Sequence, residues 1–163
     1  MADANKTLIT RAEFTSTIVA ASGRAALTFD GKTTEVGSFT GFRDITGLLT
    51  PGQVTSGRLL VARRDFQVLW AFDSLMLPAA AEGQSWAIIS GTQLQSFRPF
   101  YTSTKDYKIQ SDGHIVRLAV NSSGAVFVQF AKAARAISTV METFTQAGWP
   151  STLPGVADGE PVV

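Results

Sequence analysis

The chain has 163 residues, of which 14 are basic and 13 acidic, with one histidine, no cysteine and a formal net charge of +1. Without a run of like charge that balance gives no electrostatic footprint for nucleic acid, and the missing cysteine excludes disulfides, thiolate metal sites and thiol nucleophiles. One domain of this length buries roughly 70% of the surface its unfolded chain exposes, and a composition 45% hydrophobic and 17% charged is more apolar than a free-standing monomer needs.

The opening MADANKTLITRAEF has neither a basic nor an apolar stretch, so no secretory leader is expected. No apolar run approaches ~18 residues, so no membrane insertion is expected either. TRAEFTSTIVAASG places Thr10 and Glu13 at capping-box spacing and Phe14 and Ile18 four apart, with Gly23 as a stop. That pattern predicts a short N-terminal helix. Residues 1–22 are set apart from a domain spanning 23–155.

From about Arg24 the dominant period is two. RAALTFDGKTTEV reads as two short strands around Asp30-Gly31, a dipeptide suited to a tight hairpin turn. GRLLVARRDFQVLWAF gives a second pair, with Phe66, Val68, Trp70 and Phe72 on one face and Arg63-Arg64 at a solvated corner before Asp65. Leu60 and Leu69 fall on the faces opposite these stripes. WAIIS and LQSFRPFYTS are strand-like, with Pro99 marking an edge or a bend. HIVRLAV and AVFVQFA flank the loop NSSG, Asn121 to Gly124, whose first and last residues tolerate left-handed backbone. Val116, Leu118 and Val120 share a face in the first arm, and Val126, Val128 and Phe130 in the second.

ARAISTVMETFTQAGW fits either state: Ile137, Val140, Met141 and Phe144 suit a helical face, while the three threonines suit a strand. The tail GWPSTLPGVADGEPVV, rich in proline and glycine, predicts an ordered strap and then a loose end over 156–163. Turn signals recur about every ten residues. The expected fold is all-β, an antiparallel β-sandwich of jelly-roll-like form with the short N-terminal helix.

Chemistry is sparse. His114 follows a turn and begins a strand, with no GxSxG elbow to supply a nucleophile and no second histidine to share a metal. The carboxylate pairs Asp65 and Asp73, Asp30 and Glu35, and Asp106 and Asp112 bracket strands or loops, where turns ordinarily place acids, whereas a glycosidase needs two held ~5–9 Å apart across a sugar. No catalytic residue, metal ligand or cofactor is therefore expected, and the chain reads as a non-enzyme. Trp70 reads as core. Trp86, Tyr101 and Tyr107 sit at strand ends or in loops, placed either for rim packing or for stacking on a sugar or a partner.

TGFRDITGLL (40–49), SGRLLVARRDFQVLWAFDSLML (56–77), FRPFY (97–101), VNSSGAVFV (120–128) and GWPSTLPG (148–155) follow one another in an order that resembles the C-terminal β-rich domain of minor tail proteins and tail fibres of long-tailed bacteriophages, especially those infecting actinobacteria. The likeness covers about residues 40 to 155. It departs from the family where the usual GFRP turn is SFRP, at 96–99, and residues 1–22 match nothing in it. It implies a virion component made in the bacterial host cytoplasm and carried in the phage tail, a homotrimer that meets other tail proteins and host cell-surface polysaccharide. It also implies an extended conformation for ISTVMETFTQ and an attachment role for 1–22. Tyr101, Lys105 and Tyr107, in a YTSTKDY loop, are the expected ligand contacts. Trp149, Pro150 and Pro154 would form a strap across a neighbouring surface, and Leu60 and Leu69 would be covered between subunits. A capsid decoration protein is the alternative, and a carbohydrate-active enzyme or lectin-like module a further one.

Overall fold

A computed structural model describes residues 14–19, 24–29, 32–78, 84–108, 115–130 and 135–158. His114, Asp30 and Asp112 lie outside these residues, as do Thr10, Glu13 and Gly23. Three strands, β1 (Phe14–Val19), β2 (Arg24–Phe29) and β3 (Lys32–Ser38), form an antiparallel meander. Strand β1 corrects the predicted helix. Thr15, Thr17, Ile18 and Val19 are β-branched and lose rotamer freedom in a helix, and pairing with β2 outweighs the capping pattern. Phe29 lies opposite Lys32, as the expected hairpin requires.

The remaining strands make the sandwich. One sheet has the order β11-β6-β5-β4-β12, with β4 (Arg43–Asp44), β5 (Ser56–Arg64), β6 (Gln67–Leu77), β11 (Arg135–Phe144) and β12 (Val156–Ala157). The other has the order β7-β10-β9-β8, with β7 (Gln84–Ile89), β8 (Ser103–Lys108), β9 (Ile115–Val120) and β10 (Val126–Phe130). All pairings are antiparallel. The nested pairs β6–β11, β7–β10 and β8–β9 are jelly-roll-like, and β7 to β10 make one Greek key. The fold is an all-β sandwich. The segment that sequence left between helix and strand is β11, and the tail expected to loosen at 156 instead begins with β12, paired to β4.

One apolar cluster joins the sheets. Leu59, Val61, Val68, Trp70, Phe72, Ile137 and Met141 come from the first, and Ile88, Val116, Leu118, Val120, Val126 and Val128 from the second. The period-two readings therefore hold for these strands, except at Phe66; the Phe130 side chain lies outside the described ones. Phe66 and Asp65 form the β5–β6 turn between the paired Arg64 and Gln67, so the Phe66 ring swings out to 68% exposure. LQSFRPFYTS is not a strand before Ser103. Short 3-10 turns at Gly91–Gln93 and Gln95–Phe97 bury Leu94 and Phe97, because residues three apart eclipse on such a turn.

Two residues in left-handed backbone, one of them a glycine, fix the register. Ser74, at φ 51°, is an extra residue of β6 that bulges against both β5 and β11, and its amide donates to Ser138 Oγ at 3.1 Å. Opposite it Gly57, at φ 90°, has Ser74 O only 2.2 Å from where a Cβ would stand.

Arg63 corrects the reading of a solvated basic corner. It is 3% exposed and sits on the same side of β5 as Leu59 and Val61. Its Nε donates to Asp65 O at 2.7 Å, its Nη1 to Ser96 O and to Gly148 O at 2.8 Å, and its Nη2 to Ala147 O at 2.8 Å. Burial pulls its pKa below the ordinary arginine value, opposed by the charge of Asp65. Arg64 alone remains at the surface, over the ring of Phe39 at 5.1 Å.

Candidate functional site

Strands β8 and β11 are the edges of their sheets and lie along one flank of the sandwich, where Lys105 Nζ donates to Val140 O. At the end of that flank three chain segments are stitched together by their backbones. Phe100 N donates to Phe144 O at 2.9 Å, and Thr145 N to Phe66 O at 2.7 Å. These bonds gather four aromatic rings that the core does not claim: Phe66 from the β5–β6 turn, Phe100 and Tyr101 from the approach to β8, and Phe144 from the end of β11. They are 68%, 49%, 73% and 63% exposed. The Phe100 and Tyr101 rings meet edge to face with centroids 4.3 Å apart. Together with Ser103, Thr145 and Gln146 the four rings line a groove of about 460 Å³.

Such a groove offers flat carbon faces beside hydroxyl, amide and main-chain groups. That combination suits a ligand with apolar faces and polar edges, as a pyranose has. The rings are held by strand ends and tied main chain rather than by a free loop, so little order has to be gained on binding.

Of the expected ligand contacts, the groove includes Tyr101 and neither of the others. YTSTKDY is not a loop: Ser103–Lys108 is β8, paired with β9. Tyr107 is half-buried against the core cluster. The Lys105 ammonium is occupied by the Val140 carbonyl of the facing sheet. Trp86 is likewise half-buried against the cluster. Sequence reading missed Phe66, Phe100 and Phe144. The signal for Phe144 was present in the phase of β11, where Ile137, Met141, Thr143 and Thr145 are buried and Val140, Glu142 and Phe144 point outward.

The strap residues pack on their own chain. The Trp149 ring lies 5.0 Å from the Arg63 guanidinium carbon, and Pro150 is buried. Pro154 O and Gly155 O accept from Arg43 Nε and Nη2 at 3.0 and 2.9 Å. Leu60 is buried within the single chain and needs no subunit to cover it; Leu69 is half-buried on the outer face of its sheet.

Three of the carboxylates that sequence weighed for chemistry, Asp65, Asp73 and Asp106, are tied to their own chain, and the Glu35 side chain lies outside the described ones. Asp73 and Asp158 hold Arg58 at 2.8 and 2.7 Å, Asp106 holds Arg117 through two oxygens at 2.7 and 2.9 Å, and Asp65 Oδ1 accepts from Ser38 N at 3.0 Å. Among the described residues no group of three His, Cys, Asp or Glu side chains is placed to hold a metal, and no helix is long and apolar enough to cross a membrane. Comparison of the chain with protein-family models, with curated proteins and with solved structures gives no match.

Proposed function

We propose that this chain is a non-enzymatic structural component of a bacteriophage virion, a minor-tail or tail-fibre protein that acts as a homotrimer and contributes to recognition of a host cell-surface glycan. The observation that carries the binding half of this reading is the groove of four exposed rings, Phe66, Phe100, Tyr101 and Phe144. The virion half is supported by the ordered series of segments from 40 to 155 that resembles phage tail domains, and by the all-β sandwich on which they lie. A single stacked sugar is held weakly, and three copies on one axis raise the avidity without any new contact.

The decisive experiment is immunogold labelling of the virions that carry this chain, combined with binding of the purified protein to host cells. Gold at the tail tip and saturable binding that falls in Phe144→Ala are the expected results. Gold on the head would replace the tail reading with capsid decoration, and cell binding unchanged in Phe144→Ala would remove the groove from recognition.

A further inference from the structure

We propose that the glycan taken by the groove is anionic, a chain carrying a carboxylate or phosphodiester beside the stacked sugar, and that Arg98 reads its charge. This rests on the glycan-binding reading above and adds the chemical class of the ligand.

The aromatic groove does not stop at Phe100. That residue and Gln146 also line a second hollow of about 380 Å³, whose other walls include Arg98, Pro99 and Ser122. A ligand longer than one ring, lying from Phe144 toward Phe100, runs directly into it. The character of the walls changes on the way. Rings dominate the first hollow, whereas the second adds a guanidinium and a hydroxyl to the amide of Gln146.

Arg98 differs from the other described arginines that make polar contacts. Arg58 and Arg117 are paired with carboxylates, Arg63 is consumed by backbone carbonyls, and Arg43 is engaged by the strap. Arg98 is exposed, and its Nη1 donates at 3.2 Å to a neutral oxygen, Gln95 Oε1. Among the described residues no carboxylate forms an ion pair with it. Its main chain is held between the buried Phe97 and Pro99, so the charge is displayed from a fixed base. A guanidinium so presented matches two oxygens of a carboxylate or phosphate in its planar fork. Each hollow is sized for a ligand, and a protein partner would ordinarily cover roughly 800 Å² of each side, so a glycan is favoured over a protein surface.

The test is an array of neutral and acidic glycans that includes oligogalacturonate, its uncharged methyl ester and a glucosyl-substituted polyglycerol-phosphate chain, probed with the wild type, Arg98→Gln and Arg98→Lys. Charged chains are expected to bind about tenfold or more tighter than the ester. The preference should weaken with salt, vanish in Arg98→Gln and persist in part in Arg98→Lys. The galacturonate and phosphate arms separate the two sources of charge. Equal binding of acidic and neutral glycans by the wild type, or an acid preference untouched by Arg98→Gln, overturns the anionic class and leaves the glycan reading standing. Binding to no glycan, with cell binding that survives periodate treatment of the surface, overturns both and makes a protein the occupant.

Discussion

The guanidinium of Arg63 lies 5.0 Å from the ring centroid of Trp149, while its nitrogens donate to carbonyls of Asp65, Ser96, Ala147 and Gly148. One buried side chain thus ties the β5–β6 turn, the 3-10 turn before Pro99 and the C-terminal strap to one point. Lysine has neither the planar fork nor the stacking face for that role. Arg63→Lys is expected to cost about 2–4 kcal/mol, because several carbonyls lose a charged donor at once. Trp149→Leu should cost less, and the two changes should be non-additive, since they remove the same contact. Urea unfolding of the two variants and their double mutant checks this.

Trp70 and Thr143 make the same point within the sandwich. The indole Nε1 donates to Thr143 Oγ1 at 3.0 Å, with both residues buried. Thr143→Val keeps the shape and removes the acceptor, so it should cost about 1–3 kcal/mol for the stranded donor. Thr143→Ser should recover most of that loss. Thermal unfolding of the pair separates the hydroxyl from the methyl.

Gly57 is fixed by the bulge it faces. Its φ of 90° and the 2.2 Å approach of Ser74 O to a notional Cβ mean that Gly57→Ala must displace backbone. A loss exceeding about 1–2 kcal/mol is expected, from the left-handed conformation and the clash together. Gly47 has no neighbour within 4 Å of a notional Cβ and no positive φ, so Gly47→Ala should be near neutral. Parallel denaturation curves for the two alanine variants test the contrast.

The legible parts of this protein are those where one residue type implies one environment. Val116, Leu118 and Val120 alternate and are buried, and Asn121 closes its loop by accepting from Ser123 N and Ala125 N at 3.0 Å each. The illegible parts are those where partners distant in sequence decide. Arg63 is an arginine beside an aspartate in any local reading, and only the arrival of residues 96 and 147–149 turns that corner into an interior. Thr143 and Thr145 occupy core positions because Trp70 and the Ala147 amide need their hydroxyls, so β11 lacks the apolar stripe that would have marked it. The groove failed for a related reason. Phe66 and Phe144 look like core residues by type, and exposure follows from a turn position and a strand phase.

Asp106 and Arg117 stand opposite one another in β8 and β9 and bond through both carboxylate oxygens. The arginine holds the Asp106 carboxyl below its usual range, chiefly through the hydrogen bonds. A depressed folded pKa stabilises at pH values above the unfolded pKa, and the contribution is lost as pH falls through the folded value. The stability difference between wild type and Asp106→Asn should therefore be complete at neutral pH, begin to fall below about pH 4, and disappear once the pH is below the depressed folded value. Both side chains are exposed, so the difference should be small and should shrink in salt. Denaturation of both proteins at several pH values, at low and high ionic strength, reads both dependences.

The position of Tyr101 in the groove, with Lys105 and Tyr107 outside it, separates two accounts of ligand contact along one stretch of chain. If rings stack on the ligand, Tyr101→Ala and Phe144→Ala should each weaken binding by about 1–3 kcal/mol, the range for loss of a stacking face, with the fold unchanged because both rings are exposed. Lys105→Met removes a charge already committed to Val140 O and should leave affinity unaltered. Tyr107→Ala cuts into the cluster and should lower stability by roughly 3–5 kcal/mol at most, as for truncation of a large core ring; Tyr107→Phe keeps the packing and should bind as the wild type does. Calorimetric titration of the four folded variants with the tightest glycan on the array distinguishes the accounts. A loss confined to Tyr101 and Phe144 places recognition at the rim groove, and a loss in Lys105→Met or Tyr107→Phe would move it onto the flank of β8.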